Sequence, residues 1–375
     1  MKKTILTLLL LLIFIIPVKA DDLPDGYFEQ ISSSGADELI QKLPRDVANL
    51  MEEWGFGDFS PRPYASLELK PVLKKLVLLI GDRADGPLAA LWVVAAMTVL
   101  AALFGGVENA TENLGVRQTY HTVSVLATGG LLLTPLVALL EQVREAVDSV
   151  TVFLVSFIPV YGGLLAAGGR AVSAAAYQTV LFGAIELLAQ FVRAILIPLL
   201  TVSLTLGCTG ALTEEFHLEA ICSFFHRGIL WVLGLFSTIF SGVLSIQQMA
   251  AAAGDTLSGR AVKFSLASFV PVVGGLLSEA YSTVIGCAGL LRSTVGCFGV
   301  VATVLIVLPP MLSCVCWSLC LQAGVALGGL FHLSAIEKLC GTVVATVRVL
   351  IAVLAVFALL MIVSTTVVVY MGKGV

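Results

Sequence analysis

Ten apolar runs, each long enough or nearly long enough to cross a hydrocarbon core about 30 Å thick, constrain this chain more than any other feature. They fall at about 88–103, 121–140, 150–169, 172–191, 194–212, 228–249, 264–281, 283–303, 306–325 and 343–370. A backbone inside lipid has to satisfy its own hydrogen bonds, so runs of this length form helices. The expected fold class is therefore all-α, a polytopic helical membrane protein with ten spans. Composition agrees: 58% of the 375 residues are hydrophobic and 12% are charged, too few charges for one water-soluble core.

The first residues, MKKTILTLLLLLIFIIPVKADD, combine Lys2 and Lys3 with an apolar run from Ile5 to Ile16 and a Val18-Lys19-Ala20 ending. That order reads as a secretory signal peptide over 1–20, cleaved after Ala20. An uncleaved signal anchor is the alternative, because Lys19 precedes the small residue. Residues 21–85 form the extended polar stretch, with 13 acidic against 7 basic residues, and are expected outside the cytoplasm. Within it, Leu39, Ile40, Leu43, Val47, Leu50, Met51 and Trp54 share one side of a helix, or of a pair in which Pro44 opens the second. The stretch SLELKPVLKKLVLLIGD is amphipathic again. This segment reads as a cap on the membrane domain or as a docking surface for another protein. From 86 to 375 there are 12 acidic and 11 basic residues, so loop charge does not orient the polytopic domain.

One phrase occurs twice. SFIPVYGGLL (156–165) and SFVPVVGGLL (268–277) agree at eight of ten positions with an offset of 112, which also pairs Pro198 with Pro310 and Cys208 with Cys320. AYQTV from Ala176 and AYSTV from Ala280 pair at 104 instead. An internal duplication with halves at about 118–212 and 228–325 accounts for these matches. Pro159 and Pro271 each free a carbonyl and bend a helix, while Gly162, Gly163, Gly274 and Gly275 allow another backbone close. Two roles stay open for the motif and for Pro198 and Pro310: helix packing, or the lining of a gate. Four crossings per half would make the halves parallel; a re-entrant motif would invert them.

The chemistry of known enzymes is missing. No G-x-x-x-x-G-K-[ST], H-E-x-x-H or G-x-S-x-G pattern occurs, and the four histidines are scattered. No enzyme activity, cofactor or metal is expected, and the eight cysteines read as packing residues or adventitious thiols. Charges inside apolar runs are the functional candidates, because ionisable groups there pair, snorkel or line water. Glu186, Gln190 and Arg193 share one helix face at steps of four and three, and Arg292 has no partner nearby in sequence. Together they outline either a polar pathway or, for Arg193, a snorkelling side chain at a helix end.

With the exported segment, the polytopic body and above all RAVKFSLASFVPVVGGLLSEAYSTVIGCAGLLRSTVGCFG (260–299), the chain resembles the stage III sporulation protein AE family, most strongly over 156–169 and 260–310. The resemblance implies a role in endospore formation, in the assembly that joins mother cell to forespore. It implies a multi-pass location in the outer forespore membrane, ring-forming membrane partners and a separate cytoplasmic ATPase. It assigns no catalytic residues, and nucleic acid is not an expected partner. The rival functions are an autonomous ion-coupled transporter and a structural membrane anchor.

Overall fold

A computed structural model describes residues 31–32, 34–57, 59, 69–108, 114–212, 218–269, 274–331 and 333–371; the expected signal peptide at 1–20 and Pro271 lie outside these. The described residues form helices and turns without a strand. In chain order the helices are α1 (Asp37–Gln41), α2 (Arg45–Trp54), α3 (Leu69–Glu108), α4 (Leu114–Ala167), α5 (Ala171–Phe191), α6 (Ile197–Leu212), α7 (Leu218–Phe269), α8 (Gly274–Leu330) and α9 (Ser334–Met371).

Among the described residues six helical stretches are long and apolar enough to cross a membrane, three of them each taking in two of the expected runs: Arg83–Leu103, Leu126–Ala167, Ala171–Gly210, Ala220–Val262, Ala288–Leu330 and Ser334–Val369. The expected runs merge because charge does not end a helix. The connector EQVREAVDS holds good helix formers and neither Gly nor Pro, so α4 continues through it for 54 residues, about 81 Å at 1.5 Å per residue. Caps end helices instead. At the close of α4, Gly169 takes φ 75°, its N–H donates to the Ala166 carbonyl, and the Arg170 N–H reaches back to Leu165. This is the glycine C-cap that satisfies the last carbonyls of a helix.

A π-helical turn, Val192–Leu196, joins α5 to α6, with the Ile197 N–H donating to the Val192 carbonyl. Pro198 accounts for it: proline has no N–H and its ring crowds the carbonyl four residues back, so the preceding turn widens.

α4 pairs with α5–α6 as a hairpin, α7 packs chiefly on α9 and α5, and α8 and α9 make the centre. The best apolar window of α8 is 94% buried and that of α9 72%, against 17% for α3 and 22% for α7. The turn between α4 and α5 meets α7 and α8 within their lengths. Asp255 of α7 meets the first residues of α5, and Ala288 of α8 packs against Gly168 in the turn itself. Pro159 lies inside α4; Pro271 lies outside the described residues, and Gly274 and Gly275 are the first described residues of α8.

Residues 37–59 pack on the side of this bundle. Val47 and Met51 form the buried face of α2, which ends on Gly55 at φ 83°. Phe59 then packs against Phe298 of α8 with ring centroids 4.5 Å apart and the rings tilted by 44°. Lys75 of α3 donates to the Glu53 carbonyl at 2.6 Å and lies over the Trp54 ring. A cavity of about 450 Å³ opens between α2 and the bundle, with Phe298 in its lining.

Candidate functional site: a buried polar seam

The residues singled out from sequence divide between surface and interior. On α4, Pro159 and Gly163 are exposed, while Gly162 is buried and faces Gln178 of α5 so closely that a methyl group there would overlap the amide. Pro198 is exposed and Pro310, inside α8, is buried. Glu186 and Gln190 lie one turn apart on the exposed face of α5. Arg193 turns instead to α4, where its Nε donates to Asp148 at 2.6 Å, both side chains being partly exposed. Asp148 escaped the sequence reading because its segment counted as a connector. Its one legible signal was a carboxylate between two apolar runs.

Arg292 reaches the interior, and the surroundings explain how. Aromatic rings form a column down α4: Phe298 and Phe153 (6.4 Å), Phe153 and Phe157 (5.9 Å), Phe157 and Tyr161 (5.2 Å), then Tyr161 and Tyr177 of α5 (5.2 Å). Two glycines of α8 make room for it, since a methyl on Gly299 would overlap Phe157 and one on Gly296 would press on Tyr161 and Thr365. At the foot of the column stand Tyr161, Arg170, Asp255 and Arg292. Asp255, 6% exposed, caps α5 by accepting from the Val172 and Ser173 N–H groups at 2.9 and 3.0 Å. Such a carboxylate satisfies orphan donors and suits the positive end of the helix dipole. Gln248 of α7 donates to the Ser173 carbonyl at 3.3 Å. Arg170, 9% exposed, precedes α5; burial and the neighbouring Arg292 both hold its pKa below the ordinary guanidinium value, while Asp255 works the other way.

A second polar knot clips the other half of the bundle. His226 of α7 places Nε2 3.3 Å from Ser203 Oγ of α6 and 3.1 Å from Thr346 Oγ1 of α9. Thr346 donates its own proton to the Thr342 carbonyl, so it accepts from His226, which assigns the proton to Nε2. Cys222 donates to the Ser203 carbonyl at 3.4 Å. A serine beside a histidine invites comparison with a nucleophile and base, but here Nε2 carries the proton that a base would need to lack. The knot joins three helices. Among the described residues no group of three His, Cys, Asp or Glu side chains is placed to hold a metal ion.

The comparisons with known proteins agree on one family. A model of the Stage III sporulation protein AE family matches residues 63–372. The Stage III sporulation protein AE of Bacillus subtilis (strain 168) is 27% identical over 260 residues, which is 69% of this chain and 63% of that relative's length. No solved structure matches.

Proposed function

The chain belongs to the stage III sporulation protein AE family, and we propose that it is a membrane subunit of the assembly that connects mother cell and forespore during endospore development. The family match over residues 63–372 is the observation that carries this reading. In it, the protein sits in the outer forespore membrane, multi-pass, without enzymatic activity of its own. Energy comes from a separate cytoplasmic ATPase, in keeping with the absence of a nucleotide-binding loop from the sequence. The exported segment, held on Phe298 and Lys75, offers the docking face for ring-forming partners.

The test is purification from sporulating cells under mild detergent. The ATPase and the ring proteins should come with this chain, and deleting the exported segment should lose the ring proteins. A chain that purifies alone and moves ions in liposomes would refute the reading. An autonomous transporter would need Glu186 and Arg292 on one route, yet Glu186 is exposed whereas the Arg292 Nε is buried.

A further inference from the structure

We propose that the outward face of α7 pairs with the same face of a second copy of this chain, the two helices running parallel and crossing closest at Thr238 and Gly242. The face carries a repeat. Phe224, Gly228, Trp231, Leu235, Thr238 and Gly242 follow one another at alternating steps of four and three, Met249 lies seven residues beyond Gly242, and all of them are exposed. A step of 3.5 residues on average keeps one seam turned toward a neighbouring helix. Phe224 and Trp231 stand out from the seam, 72% and 68% exposed, whereas a methyl added at Gly228 or Gly242 would meet no atom of this chain within 4 Å. Thr238 donates its hydroxyl proton to the Gly234 carbonyl at 2.9 Å, so it offers the seam no unpaired donor. Small residues in register with large ones let two helix backbones come close.

Length, charge and area choose the occupant. Exposed apolar side chains continue along α7 from Ile221 to Phe264, about 65 Å, and a hydrocarbon core about 30 Å thick leaves more than half of that uncovered. The occupant therefore brings an apolar helix of similar length, and α7 of a second copy is such a helix. Copies inserted alike are related by an axis along the membrane normal, which sets each residue of α7 level with its own counterpart. No charge interrupts the seam. Arg227 lies beside it, with Nε and Nη2 donating back to Ser223, and Asp255 turns inward to cap α5. Arg260 is exposed, but it stands three turns beyond Met249, where helices crossing at Gly242 have already separated. Thirteen large apolar side chains of α7 are exposed between Ile221 and Phe264. At roughly 60 Å² each they offer about 800 Å², the area one partner brings to a stable interface.

The test uses the full chain, purified alone, fused to donor or acceptor fluorescent proteins and reconstituted in liposomes at falling protein-to-lipid ratios. Energy transfer should follow a monomer–dimer equilibrium for the wild type. Gly242→Leu should weaken that equilibrium at least tenfold without lowering the melting temperature in detergent, because the new side chain points away from its own chain. Gly183→Leu, at an equally open glycine on α5, is the control and should pair as the wild type does. Where Gly242→Leu fails to fold, Gly228→Leu decides. Met249→Cys, on a background without the partly exposed Cys208, Cys316 and Cys320, should link to its own counterpart on oxidation. A wild type that stays monomeric, a dimer unchanged by Gly242→Leu and Gly228→Leu, or a dimer in which Met249→Cys does not cross-link overturns the pairing. The outcome is separable from the role in the spore assembly, since only this chain is present.

Discussion

Replacing Gly299 by alanine tests whether the aromatic column is a tight seam or a loose contact. The added methyl would overlap the Phe157 ring and come within 2.5 Å of Met361 Cε. Met361 can swing aside, but Phe157 is fully buried between Phe153 and Tyr161 and has nowhere to move. Overpacking of this kind costs about 3 kcal/mol at the upper end of its usual range, and alanine returns about 1 kcal/mol of helix propensity over glycine. Gly299→Ala should therefore lose roughly 2 kcal/mol. Gly163→Ala is the control: no atom lies within 4 Å of its added methyl, so only the propensity gain applies, and it should stabilise by about 1 kcal/mol or less. Unfolding of both variants in mixed dodecyl maltoside and dodecyl sulfate micelles, followed by helical circular dichroism, gives the two signs. Adding Phe157→Leu to Gly299→Ala should recover at least about 1 kcal/mol as coupling between touching residues. If Gly299→Ala follows Gly163→Ala, or if the cycle is additive, the seam is not packed as described.

Asp255→Asn keeps the shape of the cap but can accept at one oxygen only, so hydrogen exchange at the Val172 and Ser173 amides should quicken, with about 1 kcal/mol lost; unchanged exchange would contradict the cap. Asp148→Arg or Arg193→Asp alone should each destabilise, and the swapped pair should recover most of the loss, a coupling of about 1 kcal/mol or less at these partly exposed side chains. Zero coupling would leave the pair without consequence. In Pro198→Ala the new amide can bond four residues back, so the π turn should close and the Arg193–Asp148 coupling should fall. Equal coupling in the two backgrounds would show that proline does not set the turn. Arg144→Cys, on a background without other exposed cysteines, should react with a membrane-impermeant maleimide in liposomes, because the Arg144 side chain is 50% exposed midway along α4. Protection from the reagent on both sides would place that level in hydrocarbon.

How much of this was legible depended on whether the cause was local. The apolar runs announced the helices, and RAVKFSLASFVPVVGG with its continuation announced the family that the comparisons then matched. The apolar runs at 121–140 and 150–169 join into one helix because nothing between Glu141 and Ser149 can cap or break it. Gly168-Gly169, which does end one, sat inside an expected span. Arg292 was visible as a lone charge in an apolar run. Its neighbours Arg170 and Asp255 were not, since they come from the turn between α4 and α5 and from α7. Glu186, Gln190 and Arg193 share a face by spacing, as read, but only the packing decides that Glu186 and Gln190 point outward while Arg193 finds Asp148.

The dimensions of the outer helices bear on the proposal that the chain works as a subunit. Exposed apolar side chains run along α7 from Ile221 through Trp231, Ile239 and Ile246 to Phe264, 43 positions and about 65 Å. A hydrocarbon core about 30 Å thick covers less than half of that if the helix stands upright. To hold all of it, α7 would have to tilt by roughly 60°, whereas membrane helices tilt by about 20° on average and rarely beyond about 40°. On α4, Asp148 divides the apolar window Leu126–Ala167 into lengths of about 33 and 29 Å, each one membrane thickness. Its pairing with Arg193 marks a level that touches water or headgroups rather than lipid tails. An apolar surface that outlasts the hydrocarbon, interrupted by charge at the right height to mark where the hydrocarbon stops, leaves the surplus to be covered by protein. A self-sufficient transporter has no use for that surplus, whereas the proposed place in a larger membrane assembly would cover it.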